Sequence, residues 1–336
     1  MRPLVIAHRG ASVLAPENTM SAFRLAKTLG ADGIECDVQL TKDRKLVVAH
    51  DYLTDLKTGV RGNIPDMTFD ELRKLDFGSW KGPEFAGEKL LTLEELLDYA
   101  RCFRMLHIEL KPYLDRDPEI ADRVVEAVFE AGVEDKAVIT SFEYGTLRRV
   151  KELAPQLETI AMTMSPESQL CPPDTFWEKL GLKKNDPQRE KLSSPQALGE
   201  ALALLEDPAG LEEENCLLLY YLKDRMDFLH TIFPGCSMAQ ILQQYYYQAD
   251  FAGYVAQFDF PVDYIGPEFH AFFRDKTLVD RAHELGFRLA PWPVQGDTRD
   301  ELRQILRLDP EIIVTNQPET VIAILTGLGR WQDETA

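Results

Sequence analysis

Short apolar runs alternate along the chain with segments in which apolar residues recur at helical spacing. The runs contain many β-branched residues, as expected of buried strands, and helical segments such as 20–30 and 118–132 separate them. The predicted strands are 4–7, 33–40, 105–110, 137–142, 159–164, 263–268, 288–293 and 311–316. Eight strands alternating with helices predict a (β/α)8 TIM barrel. A doubly wound sheet is less favoured, because no glycine-rich dinucleotide loop follows the first strand.

Residues 33–51 form two apolar runs around a charged turn, which predicts a β-hairpin. With a two-residue loop at 43–44, Asp37 lies opposite His50. Glu35 precedes Asp37 by two residues, so both carboxylates share one face of the strand. Two carboxylates and a histidine therefore converge. The alternative interpretation is a solvated hairpin tip with scattered charge.

Two long connections interrupt the barrel pattern of the predicted single domain, residues 1–336. Residues 52–90, after the second strand, are turn-rich and amphipathic, and they predict a small subdomain. Residues 165–262 are too long for one strand-to-strand step and contain proline-initiated and aromatic helix-like stretches, which predicts a helical insertion between late strands. Because this insertion follows the end of a strand, we expect it to wall one side of a pocket at that end of the barrel. A self-contained helical appendage and a dimer interface are the alternatives.

Net charge, hydropathy and cysteine content limit the kinds of binding partner and cellular location to expect. The formal net charge of −19 argues against nucleic acid or an anionic lipid surface as a bulk electrostatic partner, but a local cationic site can still bind a small phosphate compound. No apolar stretch reaches membrane-spanning length and residues 1–10 lack signal-peptide anatomy, so we expect a cytoplasmic chain without a stable membrane anchor. Five cysteines without CxxC spacing are typical of reduced thiols, and Cys36 is expected to pack against the helix layer. A homo-oligomer is left open.

Charged and titratable residues gather at the ends of the first three strands, where the reactive groups of a barrel lie. Three crowded carboxylates repel one another, and a hard divalent cation, Ca²⁺ or Mg²⁺ rather than zinc, relieves that repulsion. Two histidines can then act as general base and general acid, while two cationic side chains suit a phosphoryl group. These residue types together indicate phosphodiester cleavage. The set is His8, Arg9, Glu35, Asp37, His50, Glu109 and Lys111.

Each of these residues also has a structural explanation when it is taken singly. A histidine at a strand end is often structural, and Glu109 with Lys111 could be a plain ion pair. A shared site explains all seven residues at once. His107 lies two residues before Glu109, and we expect it to be a hydrogen-bonded core histidine. Three histidines carry no motif and are expected at the surface or in packing, namely His230, His270 and His283.

Several short motifs follow one another in a specific order and spacing. They are His8-Arg9-Gly10, Pro16-Glu17-Asn18-Thr19, Glu35-x-Asp37-Val38, Thr41-Lys42-Asp43, His50-Asp51, Glu109-x-Lys111, Ser141-Phe142 and Trp292. Together they resemble the motifs of the glycerophosphodiester phosphodiesterase family. The resemblance is specific over residues 1 to about 165 and looser from about 263 onward. The insertion between these parts has no recognised counterpart.

The resemblance implies a (β/α)8 barrel with a small subdomain after the second strand, and it assigns roles by position. The implied roles are metal binding by Glu35, Asp37 and Glu109, acid/base catalysis by His8 and His50, and substrate or phosphate binding by Arg9, Lys111 and Trp292. The implied reaction hydrolyses a glycerophosphodiester to glycerol 3-phosphate and an alcohol. For the family, the usual proposal is attack by the glycerol 2-hydroxyl through a cyclic phosphate.

The sequence departs from the family pattern in three places. Arg44 stands where the family has Gly, an Asn follows Thr315 where Asp is usual, and residues 292–295 read WPVQ where WTVN is typical. These departures bear on substrate preference, because none touches the metal or acid/base set. The alcohol group and the choice of metal stay open.

Two other functions remain as alternatives. The aromatic insertion leaves open a lysophospholipase D-like or phosphoinositide-cleaving phosphodiesterase, although the acidic chain and the lack of an anchor argue against a stable membrane location. A non-catalytic metal- or metabolite-binding barrel is the other alternative, and the intact pair of histidines argues against it.

Overall fold

Strands and helices alternate through the part of the chain that the computed structural model describes. That part comprises residues 2–112, 117–163, 258–267, 278–292, 302–303, 305–306 and 309–331. The strands are β1 (Leu4–Ala7), β2 (Gly33–Leu40), β3 (Leu46–Val48), β4 (Met105–Leu110), β5 (Ala137–Ser141), β6 (Glu158–Thr163), β7 (Tyr264–Pro267), β8 (Arg288–Leu289) and β9 (Ile312–Thr315). The described helices are α1 (Met20–Thr28), α2 (Asp55–Thr58), α3 (Phe69–Leu72), α4 (Leu93–Ala100), α5 (Ile120–Ala131), α6 (Tyr144–Leu153), α7 (Leu278–Glu284) and α8 (Pro318–Gly327).

Eight parallel strands form a nearly closed barrel in the order β8-β7-β6-β5-β4-β2-β1-β9, with β3 paired antiparallel to β2. The main-chain amide of Val314 donates to the carbonyl of Pro291 at 3.1 Å and links the two ends of the sheet. The eight predicted barrel strands and the predicted fold are therefore confirmed. The register sets Asp37 of β2 beside Glu109 of β4, so side chains from neighbouring strands project at one level.

The two faces of β2 carry different residue types, although the strand is buried along its whole length. Cys36 and Val38 belong to the hydrophobic layer between the sheet and the helices. Glu35, Asp37 and Gln39 alternate with them and face the barrel interior. This arrangement confirms the packing role expected of Cys36, and it brings the carboxylates of β2 to the inside.

Side-chain caps fix the starts of the helices that return to each strand. The side chain of Thr19 accepts from the amide of Ala22 at the start of α1, and Thr92 with Glu95 forms a capping box at the start of α4. At the other end of a helix, α5 stops at Gly132, whose left-handed φ of 61° ends the helical path. Such ends set the level at which the next strand enters the barrel.

The hairpin register differs by one residue from the prediction. A three-residue loop, 42–44, replaces the predicted two-residue turn, and Arg44 in it has a left-handed φ of 61°. The amide of Ala49 donates to the carbonyl of Asp37 at 3.0 Å, so Asp37 lies opposite Ala49 and the predicted pairing with His50 is wrong. The physical reason is that a tight two-residue turn favours positive φ at both central positions, whereas the three-residue loop needs it at one.

Residues 52–90 contain α2, α3 and two short 3₁₀ turns, Ile64–Asp66 and Pro83–Phe85. Their hydrophobic side chains, including Leu72 and Phe77, cluster with Val47 of β3. The segment is therefore anchored on the hairpin. The predicted insertion at 165–262 lies outside the described residues, apart from 258–262. None of the described helices is both long and apolar enough to cross a membrane.

Candidate active site

Three buried carboxylates meet on the inner faces of β2 and β4. Glu35, Asp37 and Glu109 each place one carboxylate oxygen within 4.8 Å of the others. Glu35 and Asp37 share a face because they are two residues apart on one strand, and the register of β2 against β4 adds Glu109. The structure therefore brings together the three residues for which sequence predicted metal binding.

Two cationic side chains lie against this acidic trio. Nε of Arg9 is 3.2 Å from Oδ2 of Asp37, and the Arg9 amide donates to Oε2 of Glu35 at 2.9 Å. Nζ of Lys111 is 3.0 Å from Oε1 of Glu109 and 3.5 Å from Oδ1 of Asp37. A buried charge is costly unless an opposite charge lies next to it. The two cations therefore stabilise the carboxylates, and their positive charges are fixed in position beside the trio.

The loop after β1 supplies a further hydrogen-bond donor to Asp37, and two of its residues have an uncommon backbone conformation. Asn18 donates from Nδ2 to Oδ2 of Asp37 at 2.8 Å, and its own amide donates to the carbonyl of Arg9 at 3.0 Å. Arg9 and Asn18 have left-handed φ values of 56° and 58°. Strained residues of this kind cluster at functional sites, where the surrounding contacts enforce them. Asn18 was part of a motif in the sequence, but no role was predicted for it.

The acidic trio fits a divalent cation. Burial, reinforced by the charges of Asp37 and Glu109, raises the pKa of Glu35 well above its usual value. Burial alone would also raise the pKa of Asp37, but Arg9, His50 and Lys111 outweigh it and hold that pKa well below its usual range. Oε1 of Glu35 is buried with no hydrogen-bond partner among the described residues. A hard cation would satisfy this oxygen and relieve the repulsion.

His8 follows β1 and is held through one ring nitrogen. Its Nδ1 lies 2.6 Å from Oδ1 of Asn316, and its Nε2 lies 3.8 Å from Oε2 of Glu35. Because an amide oxygen only accepts, Nδ1 carries the proton and Nε2 the lone pair. Burial, followed by the neighbouring charge of Arg9, lowers the pKa of His8 to about 3. His8 is therefore neutral at ordinary pH, with its free nitrogen toward the acidic trio.

His50 approaches the same site from the end of the hairpin. Its Nδ1 lies 2.8 Å from Oδ1 of Asp51, and about a third of its side chain is exposed. A charge on His50 lowers the pKa of both His8 and Asp37, so the three groups are electrostatic neighbours. The shifted hairpin register thus changes the partner of Asp37 without removing His50 from the site.

Trp292 lies apart from the acidic trio in its described contacts. Its indole nitrogen donates to the carbonyl of Gly266 at 2.8 Å, and its ring meets the edge of Phe142 at a centroid distance of 5.1 Å. These contacts place it in the apolar interior of the barrel, with Val314 in the same cluster. A substrate contact by Trp292 stays a prediction.

The remaining histidines that the structure describes lie in the core or at the surface, as the sequence predicts. His107 is buried on β4, with Nε2 at 3.2 Å from Sδ of Met105. His283 is exposed and lies 3.0 Å from Oε1 of Glu311. Both positions match the core and surface roles predicted for these residues. Two further histidines lie outside the described residues, His230 and His270.

The site contains residues that sequence reasoning assigned no role. Asp51 orients His50, Asn316 orients His8, and Glu17 accepts from Nη1 of Arg9 at 3.2 Å. The first two were visible in the sequence only as a residue adjoining a histidine and as a departure from the family pattern. Their contacts depend on which loops meet at the barrel end, which no local pattern reveals.

Comparison with known proteins agrees with this geometry. A sequence profile described as the glycerophosphoryl diester phosphodiesterase family matches residues 8–194. The chain belongs to this family. The matched segment contains both histidines and all three carboxylates, so the resemblance noted from the motifs is confirmed.

Relatives and solved structures extend the comparison. A glycerophosphodiester phosphodiesterase of Caldanaerobacter subterraneus subsp. tengcongensis is 45% identical over 160 residues, which cover 47% of this chain and 65% of that protein. One from Bacillus altitudinis is 37% identical over 185 residues, covering 54% of this chain and 74% of that protein. The match thus spans slightly less than two thirds of the first relative.

Two solved structures share the fold over nearly the whole chain. The Agrobacterium tumefaciens glycerophosphodiester phosphodiesterase has a TM-score of 0.61 at 21% identity, with 96% of this chain and 100% of that chain covered. An Oleispira antarctica phosphodiesterase, solved with sn-glycerol-3-phosphate, has a TM-score of 0.64 at 20% identity, with 97% of each chain covered. At these identities the likeness establishes the barrel.

Proposed function

We propose that this barrel is a metal-dependent phosphodiesterase that hydrolyses glycerophosphodiesters to glycerol 3-phosphate and an alcohol. The observation that carries the proposal is the meeting of three buried carboxylates, two cations and two histidines at one end of the barrel. Membership of the family and the names of the relatives support the substrate class. The product bound to the Oleispira antarctica phosphodiesterase supports it further.

Glu35, Asp37 and Glu109 would hold the metal, and their all-oxygen set suits Mg²⁺ or Ca²⁺. When bound, a divalent cation supplies Lewis-acid polarisation of a phosphoryl oxygen. Arg9 and Lys111 are fixed beside the trio by ion pairs, so they face negative charge that develops on the phosphoryl group without moving. The scissile phosphate is therefore expected beside these cations, on the open side of the acidic trio.

The hydrogen bonds of the two histidines distinguish their roles. Asn316 is a neutral acceptor, which leaves His8 with a free Nε2 suited to take a proton as the general base. Asp51 is a carboxylate that pairs with Nδ1 of His50 and orients its ring, which suits His50 to give a proton to the leaving alcohol. The alcohol group of the substrate is therefore expected on the His50 side of the site.

Turnover of defined diesters tests the proposal. Purified protein is incubated with glycerophosphocholine, glycerophosphoglycerol or lysophosphatidylcholine, each with Mg²⁺, Ca²⁺ or excess EDTA. Lysophosphatidic acid from the third substrate is followed by mass spectrometry, and glycerol 3-phosphate from the first two is followed by a coupled dehydrogenase. We expect release with either metal, none in EDTA, and none from Asp37→Asn, which removes a carboxylate of the trio.

The possible outcomes separate the alternatives. Cleavage confined to lysophosphatidylcholine, with lysophosphatidic acid as product, would favour the lysophospholipase D-like alternative. Calorimetric binding of metal without any turnover would indicate a non-catalytic barrel. Full activity in excess EDTA would contradict the metal site.

A further inference from the structure

A small pocket opens beside His50 and is lined by residues outside the acidic trio. Glu17 and Asp51 supply two carboxylates, Trp80 supplies an aromatic face, and Leu53 and Phe77 are among the apolar walls. Carboxylates combined with an aromatic face and apolar walls are the surroundings that recognise organic ammonium groups. The pocket is therefore chemically suited to a cationic alcohol such as choline or ethanolamine.

The chain places its own ammonium group in these surroundings. Nζ of Lys57 lies 3.9 Å from the centroid of the Trp80 ring, 3.4 Å from Oε1 of Glu17 and 3.9 Å from Oδ2 of Asp51. Only about a fifth of the Lys57 side chain is exposed, at 21%. The cavity left among these residues has a volume of about 30 Å³, room for water only.

We propose that Lys57 is a specificity-determining residue that excludes cationic alcohol groups by occupying their binding position. This inference rests on the proposed function and concerns the alcohol that leaves on the His50 side. With Lys57 in place, a trimethylammonium group would meet a like charge and an aromatic face already covered. A neutral alcohol such as glycerol meets neither obstacle, and its hydroxyls can accept from the ammonium group.

Comparing the substrate preference of Lys57→Met with that of the wild type tests this assignment. Methionine keeps much of the side-chain volume but removes the charge, so the aromatic face loses its cation and the two carboxylates have one cation fewer. The wild type should prefer glycerophosphoglycerol to glycerophosphocholine in kcat/KM. In the variant, the ratio of kcat/KM for glycerophosphocholine to that for glycerophosphoglycerol should rise about tenfold, on the scale of a desolvated cation–π contact.

Lys81→Met is the matched control for a general change of charge. Nζ of Lys81 lies 5.5 Å from the centroid of the same Trp80 ring, but it donates to the carbonyl of Ser12 at 2.8 Å. This variant should leave the substrate ratio within twofold. Lys57→Arg, which keeps the charge, should retain the wild-type ranking. Trp80→Leu combined with Lys57→Met should cancel most of the gain, because the aromatic face is then missing.

Several results would overturn the assignment. They are a wild type that prefers glycerophosphocholine, an unchanged ratio in Lys57→Met, or equal shifts in Lys57→Met and Lys81→Met. Calorimetric titration with tetramethylammonium separates this inference from the proposed reaction. Lys57→Met should bind the ion about tenfold more tightly than the wild type, whether or not diesters are hydrolysed. Equal affinities would refute the binding position even for an active enzyme.

Discussion

Acidification should destabilise the barrel through His107, a histidine outside the proposed acid/base pair. It lies on the inner face of β4 between Met105 and Glu109, and it is buried to 1% exposure. Burial lowers its pKa from 6.5 to about 3. The folded state therefore holds this ring neutral at a pH where the unfolded chain protonates it.

The sign and size of the effect follow from proton linkage. Because the folded pKa is lowered, stability is full above the unfolded pKa of 6.5 and is lost as the pH falls toward about 3. Each pKa unit corresponds to about 1.4 kcal/mol, so the whole window amounts to about 5 kcal/mol. At pH 5 the loss is about 2 kcal/mol, and it stays near that value for any folded pKa below about 4.

Urea unfolding of the wild type and of His107→Leu, each at pH 8 and pH 5 with chelator present, measures this effect. Leucine has a similar size and does not titrate, and all other titrating groups are common to both proteins. Between the two pH values the wild type should lose about 2 kcal/mol more unfolding free energy than the variant. Equal losses would show that His107 does not titrate as a buried neutral histidine.

Two further predictions address the site and its loop. Replacing His8 or His50 by Ala should lower kcat by about two to four powers of ten while calorimetric metal binding survives, and near-normal turnover of His50→Ala would remove it from the acid/base pair. Gly10→Ala should lower the melting temperature more than Gly132→Ala. Both glycines have left-handed φ values, but a Cβ at Gly10 would lie 2.7 Å from the carbonyl carbon of Ala22, whereas one at Gly132 meets nothing within 4 Å. Equal melting temperatures would show that the loop yields freely.

The fold was predictable because its strands are buried on both faces. Such strands appear in sequence as short runs rich in β-branched residues, and all eight predicted barrel strands are present. Capping chemistry is equally local, as Thr92 and Glu95 show. The hairpin register is different, because the Arg44 that turns the loop lies 2.7 Å from Oδ1 of Asp117, seventy-three residues along the chain. A local turn rule does not include that ion pair.

The site, like the fold, has a part that local sequence predicts and a part that it does not. Residues at strand ends were predictable, since the period of two and the barrel topology place them together. Their partners were not, because Asn316 reaches His8 across 308 residues and Lys57 reaches Trp80 through the fold of residues 52–90. Sequence thus indicates which groups can do chemistry, while the loop contacts decide how each is oriented and charged.

Charge explains why three carboxylates can share so buried a site. The trio with Arg9 and Lys111 carries one excess negative charge, which adds to burial in raising the pKa of Glu35. A divalent cation held by the trio would reverse the sign of this excess charge, and a phosphodiester with one negative charge would then bring the site to neutrality. Neutral combinations cost least to bury. In the proposed reaction the product, a phosphate monoester, carries additional negative charge and disturbs this balance, so the arrangement that binds the diester also favours release of glycerol 3-phosphate.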